Sequence, residues 1–255
     1  MKTPPTRPEA AFTMVEIAIS LAVIGFALVA IIGVLPRGMS VQRRNREETN
    51  INQDALVFFS AIRNGARGLD DLTNYVYEVR RYTQQFNAST NPIGSIVTNS
   101  YTYTASKPQD GFPITNGAHI IGLLGWPKYQ EGDKRRAFFS NYVVAYVRAM
   151  SGPASEKPPQ NNAEVQADAF AYQMVCENMP VPANDGNTPY GSRLTNNLHD
   201  LRLTFRWPLL PSGKVPDKGG RQTFRTQVGG RLWQTNDYGH TLYFFEPQTF
   251  AQSQP

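Results

Sequence analysis

Cysteine is nearly absent. Cys176 is the single one in 255 residues, so no disulfide closes within the chain and the core must hold by burial alone. Histidine is scarce too. His119, His199 and His240 are spread without the spacing of a metal site or a catalytic triad, and neither a phosphate-binding glycine loop nor a nucleophile elbow occurs. Asp185-Gly186-Asn187 could hold calcium, although no spaced set of carboxylates surrounds it. An enzyme is therefore the least favoured class, and no cofactor, metal or catalytic residue is implied. Internal repeats are lacking as well. Charge is missing from one long stretch: Ile17 through Pro36, between Glu16 and Arg37, holds no charged side chain.

What is present is otherwise ordinary for a folded protein, with 18% charged and 40% hydrophobic residues, 20 Gly and 19 Pro. The formal net charge of +5 permits an anionic partner, such as nucleic acid, lipid headgroups or an acidic polymer, without selecting one. The chain beyond the uncharged stretch is long enough for a core of its own, since domains commonly run about 50 to 250 residues. One globular domain plus an appendage is the expected organisation.

The uncharged stretch is rich in Ile, Leu, Val, Ala and Phe, with Ser20 as its polar interruption, so no solvent-facing side can be drawn. At about 1.5 Å per residue it makes a helix of roughly 30 Å, the thickness of a bilayer's hydrocarbon core. A secretory signal would be shorter and would close on small residues, whereas this run exits through Leu35-Pro36-Arg37. Before it lies a polar leader, Met1 to Ala11, carrying Lys2 and Arg7 against Glu9, and then Ala11-Phe12-Thr13-Met14-Val15-Glu16-Ile17.

That junction closely resembles the prepilin motif of type IV pilins and type II secretion pseudopilins: a small residue, Phe, Thr, two apolar residues, Glu and a long apolar helix. The resemblance implies that prepilin peptidase cuts between Ala11 and Phe12 and methylates the new amino group of Phe12. It implies a structural subunit, a minor pilin or pseudopilin, whose partners are prepilin peptidase, other pilin-like subunits, an inner-membrane assembly platform and membrane lipid. The expected location is the bacterial inner membrane, single-pass, N-terminus cytoplasmic and head periplasmic, and later a filament. The motif departs from the family in having Ala11 where Gly is usual. Arg37, Arg43, Arg44 and Arg46 beyond the run also oppose the usual positive-inside bias.

Glu16 separates this reading from a plain anchor. A carboxylate in an apolar segment costs about 2.5 to 3.5 kcal/mol at a helix centre, less near an end, and asks for a partner. The resemblance supplies one, the N-terminal amine of a neighbouring subunit, because burying both charges as a pair costs far less than burying either alone. Gly25, Gly33 and Pro36 are weak points where the helix is expected to bend or melt.

After Pro36 the pattern turns amphipathic: Ile51, Ala55, Phe58 or Phe59, Ile62, Ala66 and Leu69 recur at steps of three and four, with Asn52, Gln53, Asp54, Ser60, Arg63 and Asn64 between. Gly65 and Gly68 signal the end. The rest reads as strands, Ile96–Thr104, Ala118–Leu124, Phe138–Met150, Ala167–Met179, Leu201–Trp207, Gln222–Trp233 and Thr241–Glu246, separated by Pro, Gly and Asn clusters. Cys176 alternates with Phe170, Tyr172 and Met174 and so points to the core. The expected fold is α+β and pilin-like: a long N-terminal helix, apolar then amphipathic, packed on an antiparallel β-sheet head. The divisions are a leader at 1–11, the apolar helix at 12–36, its amphipathic continuation at 37–68 and the head at 69–255. Leu198-His199-Asp200-Leu201-Arg202-Leu203 with Arg206-Trp207-Pro208 also resembles the C-terminal region of the protein B group of Verrucomicrobia pilin-like cassette proteins.

Two alternatives stand beside the filament subunit. One is a single-pass membrane protein with a periplasmic binding head. The other is a minor pilin that captures DNA, since Arg80-Arg81-Tyr82, Lys134-Arg135-Arg136 and the basic strand around Arg221, Arg225 and Arg231 mix cations with aromatics.

Overall fold

A computed structural model describes residues 12–65, 71–103, 112–132, 138–151, 169–181, 195–237, 239–247 and 249. One continuous helix, α1, spans Met14–Asn64. The chain divides into two compact units, Met1–Glu48 and Thr49–Pro255, so α1 belongs to the first over its apolar part and to the second over its last turns.

In the second unit the amphipathic pattern of α1 is realised. Ile51, Ala55, Phe58, Ala61 and Ile62 are buried at steps of three and four and share one core cluster with the inner face of the main sheet. Asp54 departs from the expected polar side: it is 1% exposed, because its place three residues after Ile51 puts it on the buried face. The helix ends at Gly65, whose φ of +56° places it in the left-handed region. A Cβ there would collide with the carbonyl oxygen of Phe245, so both backbone angle and space require glycine.

A short helix, α2 (Leu72–Tyr75), leads into β1 (Val76–Phe86), which is followed by β2 (Pro92–Thr102) and β3 (Phe112–Pro113). Then come α3 (Gly117–Leu124), β4 (Tyr129–Glu131), β5 (Phe138–Arg148), β6 (Ala171–Pro180) and β7 (Leu198–Trp207). The last elements are β8 (Gly220–Gly229), β9 (Arg231–Asp237) and β10 (His240–Glu246). The main sheet runs in the order β3-β2-β1-β5-β6-β7-β8, with β4 also paired to β5, and β9 and β10 form a separate two-stranded sheet. Its pairs are antiparallel apart from the short β2–β3 contact. The fold is α+β.

The expected strand over Ala118–Leu124 is instead helix α3. Asn116 caps it by accepting the His119 N–H at 2.8 Å, and this start signal outweighs the β-branched Ile120 and Ile121. The expected single strand over Gln222–Trp233 is broken at Gly230 (φ +127°), where the chain turns from β8 into β9 against the Glu246 carbonyl. β1 lies outside every expected strand and pairs on both sides. The segments Ser151–Ala163 and Pro180–Gly191, expected as loops, fall largely outside the described residues, as does Asp185.

The inner face of the main sheet is covered within the second unit by the last turns of α1, by α3 and by the β9–β10 hairpin. Tyr172, Met174, Leu201, Leu203 and Phe205 meet Phe58, Ile120, Leu124 and Phe245 there in one cluster. Cys176 belongs to it, its thiol donating to the Leu124 carbonyl at 3.1 Å and its pKa pushed far up by burial. One buried polar network joins α1 to the sheet. The Asp54 carboxylate accepts from Tyr172 Oη at 2.9 Å, from the Met150 N–H at 3.1 Å and from the Ser151 hydroxyl.

Candidate functional site

The first turn of α1 is built by its own sequence. Thr13-Met14-Val15-Glu16 has the spacing of a capping box: the Glu16 N–H donates to Thr13 Oγ1 at 3.3 Å, while Glu16 Oε2 accepts from the Thr13 N–H and from its hydroxyl, each at 3.0 Å. The carboxylate thus lies over the helix N-terminus, where a negative charge is favoured by the exposed N–H groups. The Thr-x-x-Glu spacing was legible in the sequence, although its reading there concerned only a partner outside the chain. Phe12 precedes the helix and is 81% exposed. Ala11, on the other side of the expected cleavage point, lies outside the described residues.

Beyond the cap, the apolar run is uncovered among the described residues. Ile17, Leu21, Ile24, Phe26, Leu28, Ile31 and Leu35 are all exposed, and the helix is long and apolar enough to cross a membrane. Each such side chain gains about 1.5 to 3 kcal/mol when it leaves water, so cover from lipid or from other chains would stabilise this surface. Helical structure continues through Gly25, Gly33 and Pro36 without a melted turn. A Cβ built on Gly25 or Gly33 would meet nothing within 4 Å, so contacts inside this chain supply no reason for either glycine.

The second candidate region is the outer face of the main sheet. Alternation along β1 separates the two arginines that the sequence joins. Arg81 turns inward, its guanidinium 3.8 Å from the Trp126 ring centroid and its pKa lowered by burial. Arg80 turns outward, held by Glu78 at 2.6 Å and lying over the Tyr146 ring. Arg221 and Arg225 join Arg80 on the outer face, whereas Arg231 belongs to the separate hairpin. Lys134, Arg135 and Arg136 lie outside the described residues.

The fold brings two histidines together and leaves the third apart. The rings of His119 and His240 are 6.1 Å apart, and each pKa is lowered, first by burial. His199 is buried, with Nδ1 2.9 Å from Asn178 Oδ1 and its ring edge-on to Phe245. No group of His, Cys, Asp and Glu suited to a metal ion occurs among the described residues.

These features define an α+β protein with a capped, fully exposed apolar N-terminal helix. Comparison with protein-family models, with curated proteins and with solved structures finds no match for this chain.

Proposed function

We propose that the chain is a structural subunit, a minor pilin or pseudopilin, of a filament of the type IV pilus or type II secretion kind, inserted first in the bacterial inner membrane. The observation that carries this reading is the apolar helix with every large side chain exposed and a carboxylate at its head. A membrane accounts for the apolar surface. Beyond its place in the capping box, the Glu16 carboxylate is a charge near Phe12 in sequence that a neighbouring subunit's N-terminal amine would neutralise once both leave lipid. Prepilin peptidase would cut before Phe12 and methylate it, and an inner-membrane platform would lift the subunit against other pilin-like chains. Gly25 and Gly33, unconstrained within the chain, are small residues that let helices approach closely.

Two measurements test the proposal. N-terminal sequencing and intact mass of the membrane-extracted protein, from a host with prepilin peptidase, should give a chain starting at N-methylated Phe12. A Met1 start would leave a single-pass anchor with a periplasmic head. The second is Glu16→Gln. Glutamine at this position still closes a capping box, so the helix start is kept and only the charge is lost. Membrane insertion should persist while filament assembly fails, and normal assembly would refute the charge pair.

A further inference from the structure

The outer face of the main sheet carries an arrangement that folding alone does not explain. Arg206 and Arg221 stand directly opposite each other on β7 and β8, and so do Arg202 and Arg225. Like charges in such cross-strand pairs repel and destabilise a sheet. The second pair is compensated: Asp200 contacts Arg225 at 2.6 Å and Arg202 at 3.9 Å, and Glu177 lies 3.9 Å from Arg202. For the first pair no carboxylate lies within ion-pair distance among the described residues, and Arg206 Nε is buried without an acceptor.

Aromatic rings share this face. Tyr82 and Tyr142 pair across β1 and β5 with ring centroids 6.3 Å apart, and Tyr142 is 37% exposed. The Tyr142 phenol sits in the field of Arg206, Lys128 and Arg221, opposed by the Glu177 carboxylate. The register carries the row Tyr146, Gln173, Arg206, Arg221 across four strands, with Arg80 beside it on β1. Leu209 covers part of the apolar centre, Val144, Tyr146 and Val175, leaving the Tyr142 and Arg221 sides to solvent.

We propose that this face binds single-stranded nucleic acid, with a phosphate between Arg206 and Arg221 and a base against the Tyr142 and Tyr82 rings. An anion between the two guanidiniums converts their repulsion into attraction. The aromatic pair favours a nucleic acid over an acidic polysaccharide or an anionic bilayer, because unstacked bases gain by lying on exposed rings. Paired bases in a duplex cannot reach them. The face belongs wholly to the second unit, so the inference does not depend on how the N-terminal helix is used.

The test uses the full chain in a non-ionic detergent with a fluorescein-labelled oligothymidylate, read by anisotropy across a salt series. Arg221→Gln should weaken binding and make the slope of log K against log salt shallower by about 0.7, the value for one lost phosphate contact on a single strand. Tyr142→Leu should weaken binding about 5- to 150-fold, the range for one stacked base, with little change in salt slope. Arg206→Gln and Arg221→Gln should melt no lower than the parent, since each relieves a like-charge pair. The proposal is overturned by absence of oligothymidylate binding at low salt, or by parent-like binding in both Arg221→Gln and Tyr142→Leu. Duplex DNA, a polyuronate or anionic vesicles binding as tightly as the oligonucleotide, with Tyr142→Leu silent, would overturn it equally.

Discussion

Asp54 ties α1 to the sheet through buried hydrogen bonds. Its carboxyl is 1% exposed and is pushed above its ordinary pKa by burial, against the lowering effect of the hydrogen bonds from Ser151, Met150 and Tyr172. Asp54→Ala leaves those donors unpaired inside the protein and should cost about 3 kcal/mol or more in urea unfolding. Because the folded chain holds this proton to higher pH than the unfolded chain, the associated stability is present in acid and lost as pH rises through the folded value. His199 acts in the opposite direction. Burial lowers its pKa from 6.5 to about 4, so its contribution is complete above pH 6.5 and lost as the pH falls toward 4. At about 1.4 kcal/mol per unit this amounts to about 3 kcal/mol at most. Urea midpoints between about pH 4 and 7 should therefore show a smaller acid limb in His199→Gln, with the remainder from His119 and His240, and an unchanged one in Asp54→Asn; an unchanged acid limb in His199→Gln would assign it to other groups.

At the scale of elements, caps and glycines decide boundaries that hydrophobic pattern leaves open. The amphipathic part of α1 was legible because its spacing is helical over several turns, and β7 because Leu201, Leu203, Phe205 and Trp207 alternate strictly. α3 was misread as a strand because an eight-residue, almost wholly buried segment shows no periodicity, and only the Asn116 cap distinguishes it. Asn116→Ala should accordingly cost about 1 kcal/mol, measured by thermal or urea unfolding. Gly65→Ala should cost more, since it adds a clash with the Phe245 carbonyl to the strain of a positive φ. Equal stability of this variant and the parent would mean that the end of α1 can shift away from Phe245.

For the molecule as a whole, the separation into Met1–Glu48 and Thr49–Pro255 places the buried core in the second unit and the exposed apolar side chains of α1 in the first. A chain beginning at Thr49 should be soluble without detergent and melt cooperatively, because Ile51 through Ile62 and the whole main sheet remain. A chain beginning at Leu72 should fail to do so, having exposed the sheet's inner face along one side. Circular dichroism melts of the two fragments check this directly, and cooperative melting of the shorter one would show that the α1 turns are not required.

Sequence by itself determined the long apolar helix, the Thr13–Glu16 spacing that caps it, the amphipathic continuation and most of the antiparallel strands. These features are local: each follows from residues within a few positions of one another, through spacing, capping or alternation. Tertiary structure alone decided that Asp54 is buried against Tyr172 and that Arg206 meets Arg221 on the neighbouring strand. Those outcomes depend on strand order and register, which bring together residues far apart in the chain, and no short-range pattern in the sequence encodes either.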